Sequence, residues 1–438
     1  MIEIGRRKLL IAGGAAAVLG AGTAPPAAGA VRPLAGDTSR RPDPGGQTVV
    51  AWNRTLLRIL RTPGLQPATV HATRSFALLH TAVYNAVVAA HGVGRPYLFA
   101  VNGARGAAPQ AAAAQAAHDV LAALYPSVAA DLDQQLAADL AAIPDRQARE
   151  AGTRIGAWTA RLLIGLRAGD GSAATPPALS PGTEPGQYRP TPPGFGAAVF
   201  THWSAVTPWL LDRASRFRSK AYPALTSAGY ANAAEEVRRL GQDTSTTRTD
   251  DQTVQARFWA APIHNYWNEI AQSAATTRHS GLLASARLFA ELNLTFADAV
   301  IAFYDAKYHH RIWRPVTAIR LADTDGNPDT VADPTWNPLA GTPNDPAYPG
   351  AHSVVAQAGA DVLARTFGGG QRISVTSESL AGVTRTFNSF QDAADEAGIS
   401  RIFAGVHTRL DHDAGQRLGH DIARYALHNL TDPPTPAA

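Results

Sequence analysis

The sequence predicts an all-α protein of helical bundles packed side by side, and three observations carry that prediction. Apolar residues recur at helical spacing through most of the chain. Residues 108–143 are extremely rich in alanine, the residue of highest helix propensity. No segment shows sustained alternation of apolar and polar residues. The 438 residues suit one large domain or two fused helical ones, and 45% hydrophobic content is that of a chain with a buried core.

Taken in order, residues 1–30 read as an export signal. Gly5-Arg6-Arg7-Lys8-Leu9-Leu10 is a twin-arginine motif, an Ala/Gly/Val/Leu run follows, and Ala28-Gly29-Ala30 offers a small-residue cleavage site. The apolar run is too short and too glycine-rich to span a bilayer. Residues 31–46 have the Pro, Gly, Arg and Asp content of a flexible linker. Residues 47–284 then form an N-terminal helical region, residues 285–432 a C-terminal one, and 433–438 a tail.

Trp52, Leu56, Leu57 and Leu60 open the helical pattern, which starts at Thr48. Thr73 to Ala90 is a nearly apolar helix with Phe76, Leu79, Val83 and Val87 on one face, and its His80 is read as a core histidine. The alanine-rich stretch reads as two helices broken near Pro126. Ala148 to Ala168 is a helix expected to turn Ile155, Trp158, Leu162 and Leu166 inward, ended by Gly169-Asp170-Gly171. Residues 171–210 change character: a Pro- and Gly-rich loop carrying Phe200, Trp203 and Trp209, packed onto the core as an irregular connector or as the wall of an entrance.

Helices resume over Ala228–Leu240, Asp250–Trp259 and around Trp267. Ser285 to Trp313 reads as one long helix. Residues 321–350 form a polar loop in which Asp323, Asp325, Asn327 and Asp329 make a turn. They do not make a calcium loop, because the glycine is displaced and no glutamate stands at the twelfth position. The remaining expected helices are Ser353–Phe367, Ser377–Ala397 and Leu410–Leu430.

Composition excludes several functions. With no cysteine there is no disulfide, thiol catalysis, thiolate metal site or acylated lipoprotein anchor. The net charge of +4, about half of it in the first thirty residues, is too balanced to argue for nucleic acid or for membrane binding after signal cleavage. His309, His310, His412 and His420 form no His-x3-His or His-x4-His pair, which argues against a zinc cluster.

Three stretches carry candidate chemistry. Lys307 and Arg314, seven residues apart, are expected two turns apart on one helical face, with Pro315 closing or kinking the helix. Lysine is used only at Lys8, Lys220 and Lys307, so a lysine here hints that a compact ammonium is required. In Pro349-Gly350-Ala351-His352 a loop enters a helix N-terminus, where backbone N–H groups favour an anion and His352 sits at the mouth as an acid/base group. In Ser400-Arg401 to Asp411, Arg401 offers a planar cationic fork, and Gly405 leaves the backbone open to an oxyanion. His407 and Asp411 are four apart, so on a helix the carboxylate fixes the imidazole tautomer and turns the other nitrogen outward as nucleophile or ligand.

In order and spacing these stretches resemble the superfamily of vanadium-dependent haloperoxidases and type-2 phosphatidic acid phosphatases. Its pattern is K-x6-R-P, then P-S-G-H, then S-R-x5-H-x3-D. The first and third match without departure, while in the second Gly350 replaces serine and Ala351 replaces glycine. The stretches Pro223 to Tyr230, Arg248 to Gln252 with Phe258-Trp259, and Trp313 to Arg320 look like the bacterial haloperoxidase-like branch. The resemblance covers roughly residues 50–430, densely only in the last third.

The resemblance implies a haloperoxidase-like helical fold in which Lys307, Arg314 and Arg401 hold the oxygens of vanadate or phosphate, helped by the backbone at Gly350 and Ala351. It implies that His407 binds the central atom, vanadium in vanadate, that Asp411 orients His407, and that His352 is the acid/base group. Two reactions run on such a site. One is oxidation of halide by hydrogen peroxide at vanadate. The other is phosphate-ester hydrolysis through a phosphohistidine, with no metal. A secreted haloperoxidase is favoured by the branch-specific stretches. A phosphomonoesterase, and a non-catalytic helical protein that keeps an anion pocket, stay as alternatives. Two departures bear on the choice: Gly350 lacks a hydroxyl whose charge-assisted bond is worth about 1.5–3 kcal/mol. Asp345 places an anion where haloperoxidases often carry an aromatic residue or a histidine, which disfavours halide.

Overall fold

Helical periodicity in the chain becomes thirteen α-helices and one hairpin in the computed structural model, which describes residues 45–97 and 106–431. The export signal and most of the linker expected before residue 47 lie outside the described residues. The first group is α1 (Gly46–Arg61), α2 (Ala72–His91), α3 (Pro109–Leu124), α4 (Ala129–Ala141) and α5 (Arg146–Arg167). After the long loop come α6 (Ala228–Leu240), α7 (Asp250–Phe258) and α8 (Ile263–Thr277). The last group is α9 (Leu282–His310), α10 (Pro315–Arg320), α11 (Ala351–Phe367), α12 (Phe390–Phe403) and α13 (Arg409–Thr431).

α9 joins the two ends of the fold. From Leu288 to Tyr304 every residue is buried, the polar Glu291, Asn293, Thr295 and Asp298 included. α2 packs on one side of it, α11 and α13 on another, and a single apolar cluster extends from Val49 of α1 to Ala423 of α13. The break at Pro126 falls as expected, with Pro126–Val128 forming a 3-10 turn between α3 and α4. No described helix is long and apolar enough to cross a membrane.

Three expectations about elements are corrected. Trp158 and Leu166 of α5 do not face inward but are 45% and 47% exposed. The buried face carries small residues instead: a Cβ at Gly152 would stand 2.3 Å from the Ala108 carbonyl oxygen, and one at Gly156 2.4 Å from that of Ala112. α5 is therefore pressed against α3 at these glycines; Ile155 and Leu163 are buried beside them, while Trp158 and Leu166 are turned out. Ser377 to Ala397 is not one helix. Antiparallel strands β1 (Ile373–Thr376) and β2 (Thr384–Phe387) pair Ile373 with Phe387, and α12 starts only at Phe390, capped by Ser389. Each strand is four residues, too short for alternation to be read.

The third correction moves the site. The long helix ends at His310, because Arg311 takes a left-handed conformation (φ 51°). The chain then runs extended, with Ile312 bridged to Gln187 and the Trp313 N–H donating to the Gly186 carbonyl at 2.9 Å. Pro315 does not close α9; it opens α10, with Arg314 as the capping residue.

Candidate active site

Lys307 and Arg314 therefore converge from two elements rather than along one helical face. Lys307 is fully buried near the C-terminus of α9. Its ammonium donates to the carbonyls of Pro346 and of Ala347 (3.2 Å) and lies 3.4 Å from Asp345 Oδ2. Arg314 donates from Nε to the Asp345 carbonyl at 2.7 Å, from Nη1 to the Val406 carbonyl at 2.8 Å, and from Nη2 to Asp345 Oδ1. Its Nη1 also stands 3.3 Å from His407 Nε2. The Asp345 carboxylate thus bridges both cations.

His407 and Asp411 meet as expected, by a different route. His407 lies in the turn between α12 and α13, and Asp411 in the first turn of α13. Asp411 Oδ2 accepts from the Thr408 N–H at 2.7 Å and sits 3.3 Å from His407 Nδ1. A carboxylate only accepts, so Nδ1 carries the hydrogen and Nε2 keeps its lone pair toward Arg314. Gly405 serves this turn and does not open the backbone to an oxyanion. Its φ is 78°, and a Cβ there would stand 2.4 Å from the Gly241 carbonyl oxygen.

His352 stands in the first turn of α11, with Nε2 2.9 Å from the Trp259 carbonyl. The carbonyl accepts, so Nε2 holds the hydrogen and Nδ1 is the basic nitrogen. Gly350 caps α11 without a side chain, and its own N–H donates to the Asp411 carbonyl at 2.9 Å rather than into the site. The backbone donors that remain are those of the first turn, at Ala351 and His352. A Cβ at Gly350 would stand 3.2 Å from the Asp411 carbonyl oxygen, so a serine there needs the neighbouring backbone to give slightly.

Lys307, Arg314, Ala351, His352, Arg401 and His407 line one cavity of about 190 Å³, together with Asp345. Arg401 comes from the last turn of α12, is 6% exposed, and its Nη1 has no hydrogen-bond partner. An unpaired guanidinium nitrogen, a helix N-terminus without a side-chain cap and three cations against one bridging carboxylate fit a compact oxyanion.

Burial, with the cations Arg314 and Lys307 nearby, holds His407 well below the ordinary histidine range, and burial with Arg401 does the same to His352. Both imidazoles are neutral near pH 7, as ligand and base roles require. Burial lowers Lys307 to about 8 against the opposing pull of Asp345. Burial alone would raise Asp345, but Lys307 and Arg314 outweigh it and keep the carboxylate ionised. Burial raises Asp411.

Sequence reasoning missed the other wall of the cavity, formed by His71, His264, Phe303 and Tyr304. Burial pushes His264 down to about 4, and burial with His264 beside it lowers His71. His71 caps α2 just before an apolar run, as His352 in the first turn of α11 precedes one, and a histidine at the start of an apolar helix was the available signal. The long loop reaches this wall: Phe200 packs on His71 (ring centroids 5.2 Å apart) and on Tyr304 (5.3 Å). The Asp298 carboxylate pins the loop by accepting from the N–H groups of Trp209, Leu210 and Leu211.

Of the histidines weighed for zinc, His309 and His310 pack edge to face at 4.9 Å, and His310 engages the Ser219 carbonyl, His412 Ser353 and His420 Asp361. In the 321–350 loop, Asp325 accepts from the Asn327 N–H (2.8 Å) and the Thr330 hydroxyl (3.0 Å), and the Asn327 side-chain amide donates to the Leu225 carbonyl. The carboxylate thus ties a turn.

Comparison with known proteins agrees with this geometry. Residues 287–434 match the family of the VCPO second helical-bundle domain. The vanadium chloroperoxidase of Curvularia inaequalis is 28% identical over a match that covers 40% of this chain and 38% of that protein's own length. The crystal structure of a bacterial vanadium-dependent iodoperoxidase superposes with a TM-score of 0.77 at 25% identity, covering 87% of this chain and 96% of the other. A holo-type bacterial vanadium-dependent chloroperoxidase shares the fold with a TM-score of 0.67 at 15% identity, over 86% and 95% of the two chains.

Proposed function

We propose that this chain, which is similar to vanadium-dependent haloperoxidases, is an oxidoreductase that oxidises halide with hydrogen peroxide at a vanadate held by His407. The observation that carries the reading is Arg401, whose buried Nη1 has no partner, lining one cavity with Lys307, His352 and His407. Vanadate bound there supplies Lewis-acid activation of peroxide without changing oxidation state. The chain supplies the rest. Arg401, with Lys307 and Arg314, balances the oxyanion's charge among side chains that are themselves buried. His407 offers Nε2 as ligand, and Asp411 holds the tautomer through Nδ1. His352, held by the Trp259 carbonyl, keeps Nδ1 free to take a proton from peroxide and return it to the leaving oxygen. The first-turn N–H groups of Ala351 and His352 add donors to the anion.

Asp345 favours a second reading, a phosphomonoesterase. A buried carboxylate lining the cavity repels a lone halide, whereas a phosphate ester, repelled as well, is held by three cations, with His407 as nucleophile and His352 as acid. Peroxide-dependent halogenation of a phenol by vanadate-loaded protein, with iodide, bromide and chloride in turn, separates the two. The haloperoxidase reading expects turnover that falls at least a hundredfold in His407→Ala. Phosphate-ester hydrolysis alone, inhibited by vanadate, would replace it with the second reading. Export by the twin-arginine route belongs to the same proposal and rests on Arg6 and Arg7 of the leader. Secreted protein from the native host should begin near Val31, and Arg6→Lys with Arg7→Lys should hold it in the cytoplasm.

A further inference from the structure

We propose that Asp345 is an internal counter-ion that competes with the oxyanion for Lys307 and Arg314, and so sets how tightly this chain holds it; the inference rests on the oxyanion reading above. The donor inventory carries the argument. An ammonium has three hydrogens, and Lys307 has three acceptors within reach: the carbonyls of Pro346 and Ala347 and the carboxylate of Asp345. Arg314 directs Nε to the Asp345 carbonyl, Nη1 to Val406 and His407, and Nη2 to Asp345 Oδ1. One residue thus takes contacts from both cations, through its side chain and its backbone. Among the three cations of the cavity, Arg401 is the one with an unpartnered guanidinium nitrogen.

An oxyanion that enters has two courses. It displaces the carboxylate from Lys307 and Arg314, or it binds beside a buried negative charge. Asp345 is 5% exposed, so little water screens that repulsion. Competition adds to the hydroxyl that Gly350 lacks, and both act in the direction of weak binding. The opposite role is also physically defined. If Asp345 served to position Lys307 and Arg314, removing its charge would loosen the cations and weaken binding. The two roles differ in sign.

Calorimetric titration of orthovanadate, and separately of inorganic phosphate, into the wild type, Asp345→Asn and Asp345→Glu reads that sign. Asp345→Asn should bind both oxyanions at least tenfold more tightly than the wild type, and Asp345→Glu, which keeps the charge, within threefold of it. Equal or weaker binding by Asp345→Asn, or no binding by any of the three, overturns the proposal. Should Asp345→Asn fail to fold, the crystal structure of the wild type with vanadate decides. The carboxylate should have left Lys307 and Arg314, and its retention on both with the oxyanion bound overturns the competition. Tighter binding by Asp345→Asn without halogenation by either protein would keep this inference and discard the haloperoxidase reading. Halogenation by the wild type with no gain in affinity would do the reverse.

Discussion

Two polar regions are buried in this molecule, and they are built on opposite terms. One lies where α1, α2, α8 and α9 meet. Asn268 and Asn293 exchange side-chain amide hydrogen bonds at 3.0 Å in both directions. Asn53 donates to Asn268 Oδ1 (2.9 Å), pairs with His80 Nε2 (2.7 Å) and accepts from Gln272. His80, pushed by burial to about 3, is neutral. The amides satisfy one another, with Arg54 donating to Gln272 at the edge (3.2 Å) and His80 Nδ1 left without a partner. The other region is the cavity at the C-terminal end of α9, where Lys307, Arg314, Asp345 and Arg401 meet; Arg401 Nη1 has no partner, nor has Oδ1 of Asp411 beside His407. A network of neutral amides specifies packing, whereas buried charge without a partner costs stability and is retained where a ligand completes it.

The contrast makes opposite predictions for single substitutions. Arg401→Met removes an incompletely paired buried cation. Oxyanion affinity should fall at least a hundredfold, about 2.7 kcal/mol, while the thermal midpoint stays or rises. A midpoint that drops sharply would mean that Arg401 is part of the fold's polar core after all. Asn268→Leu should do the reverse. It strips partners from Asn53, Asn293 and the His264 carbonyl, so unfolding stability should fall by about 2–3 kcal/mol, measured by urea denaturation, with phosphate affinity unchanged within twofold.

The smallest effect is in pH. Lys307 is lowered to about 8 mainly by burial. Its charge is present below that pH and lost as pH rises through it, so the cradle loses one cation on the alkaline side. Phosphate affinity should weaken by about tenfold from pH 7 to pH 9.5, by isothermal titration, for the loss of one charge-assisted contact. In Lys307→Arg the charge persists and the profile should be flat. The linkage sign for stability runs the other way. A lysine whose folded value lies below its unfolded one is a burden at low pH that is relieved as pH rises from about 8 to about 10.4.

Much of the molecule was legible in the chain. Helical periodicity found the fold class and nearly every helix, and Pro126 marked the break between α3 and α4. Lys307, His352, Arg401, His407 and Asp411 were named by residue type and spacing, and the fold brings the first four together at the cavity, with Asp411 on the far nitrogen of His407. What misled were inferences of orientation. Trp158 and Leu166 were placed inside by size, but the helix faces its neighbour with Gly152 and Gly156 because backbone contact there admits no side chain. Lys307 and Arg314 were placed on one helix, but the left-handed Arg311 ends it between them.

The sequence by itself determined which residues can do chemistry, because charge, tautomer and hydrogen-bonding capacity belong to side chains. It also determined where helices form, because periodicity is a local property. Only the tertiary structure decided what those side chains are set against. His71 and His264 reach the cavity from helices far away in sequence. Gly350 spends its N–H on Asp411, and Gly405 is required by a left-handed turn against Gly241. Asp345 occupies Lys307 and Arg314 from a loop more than thirty residues beyond either of them in the chain. Contacts of that kind depend on how elements cross in space, which no window of sequence contains.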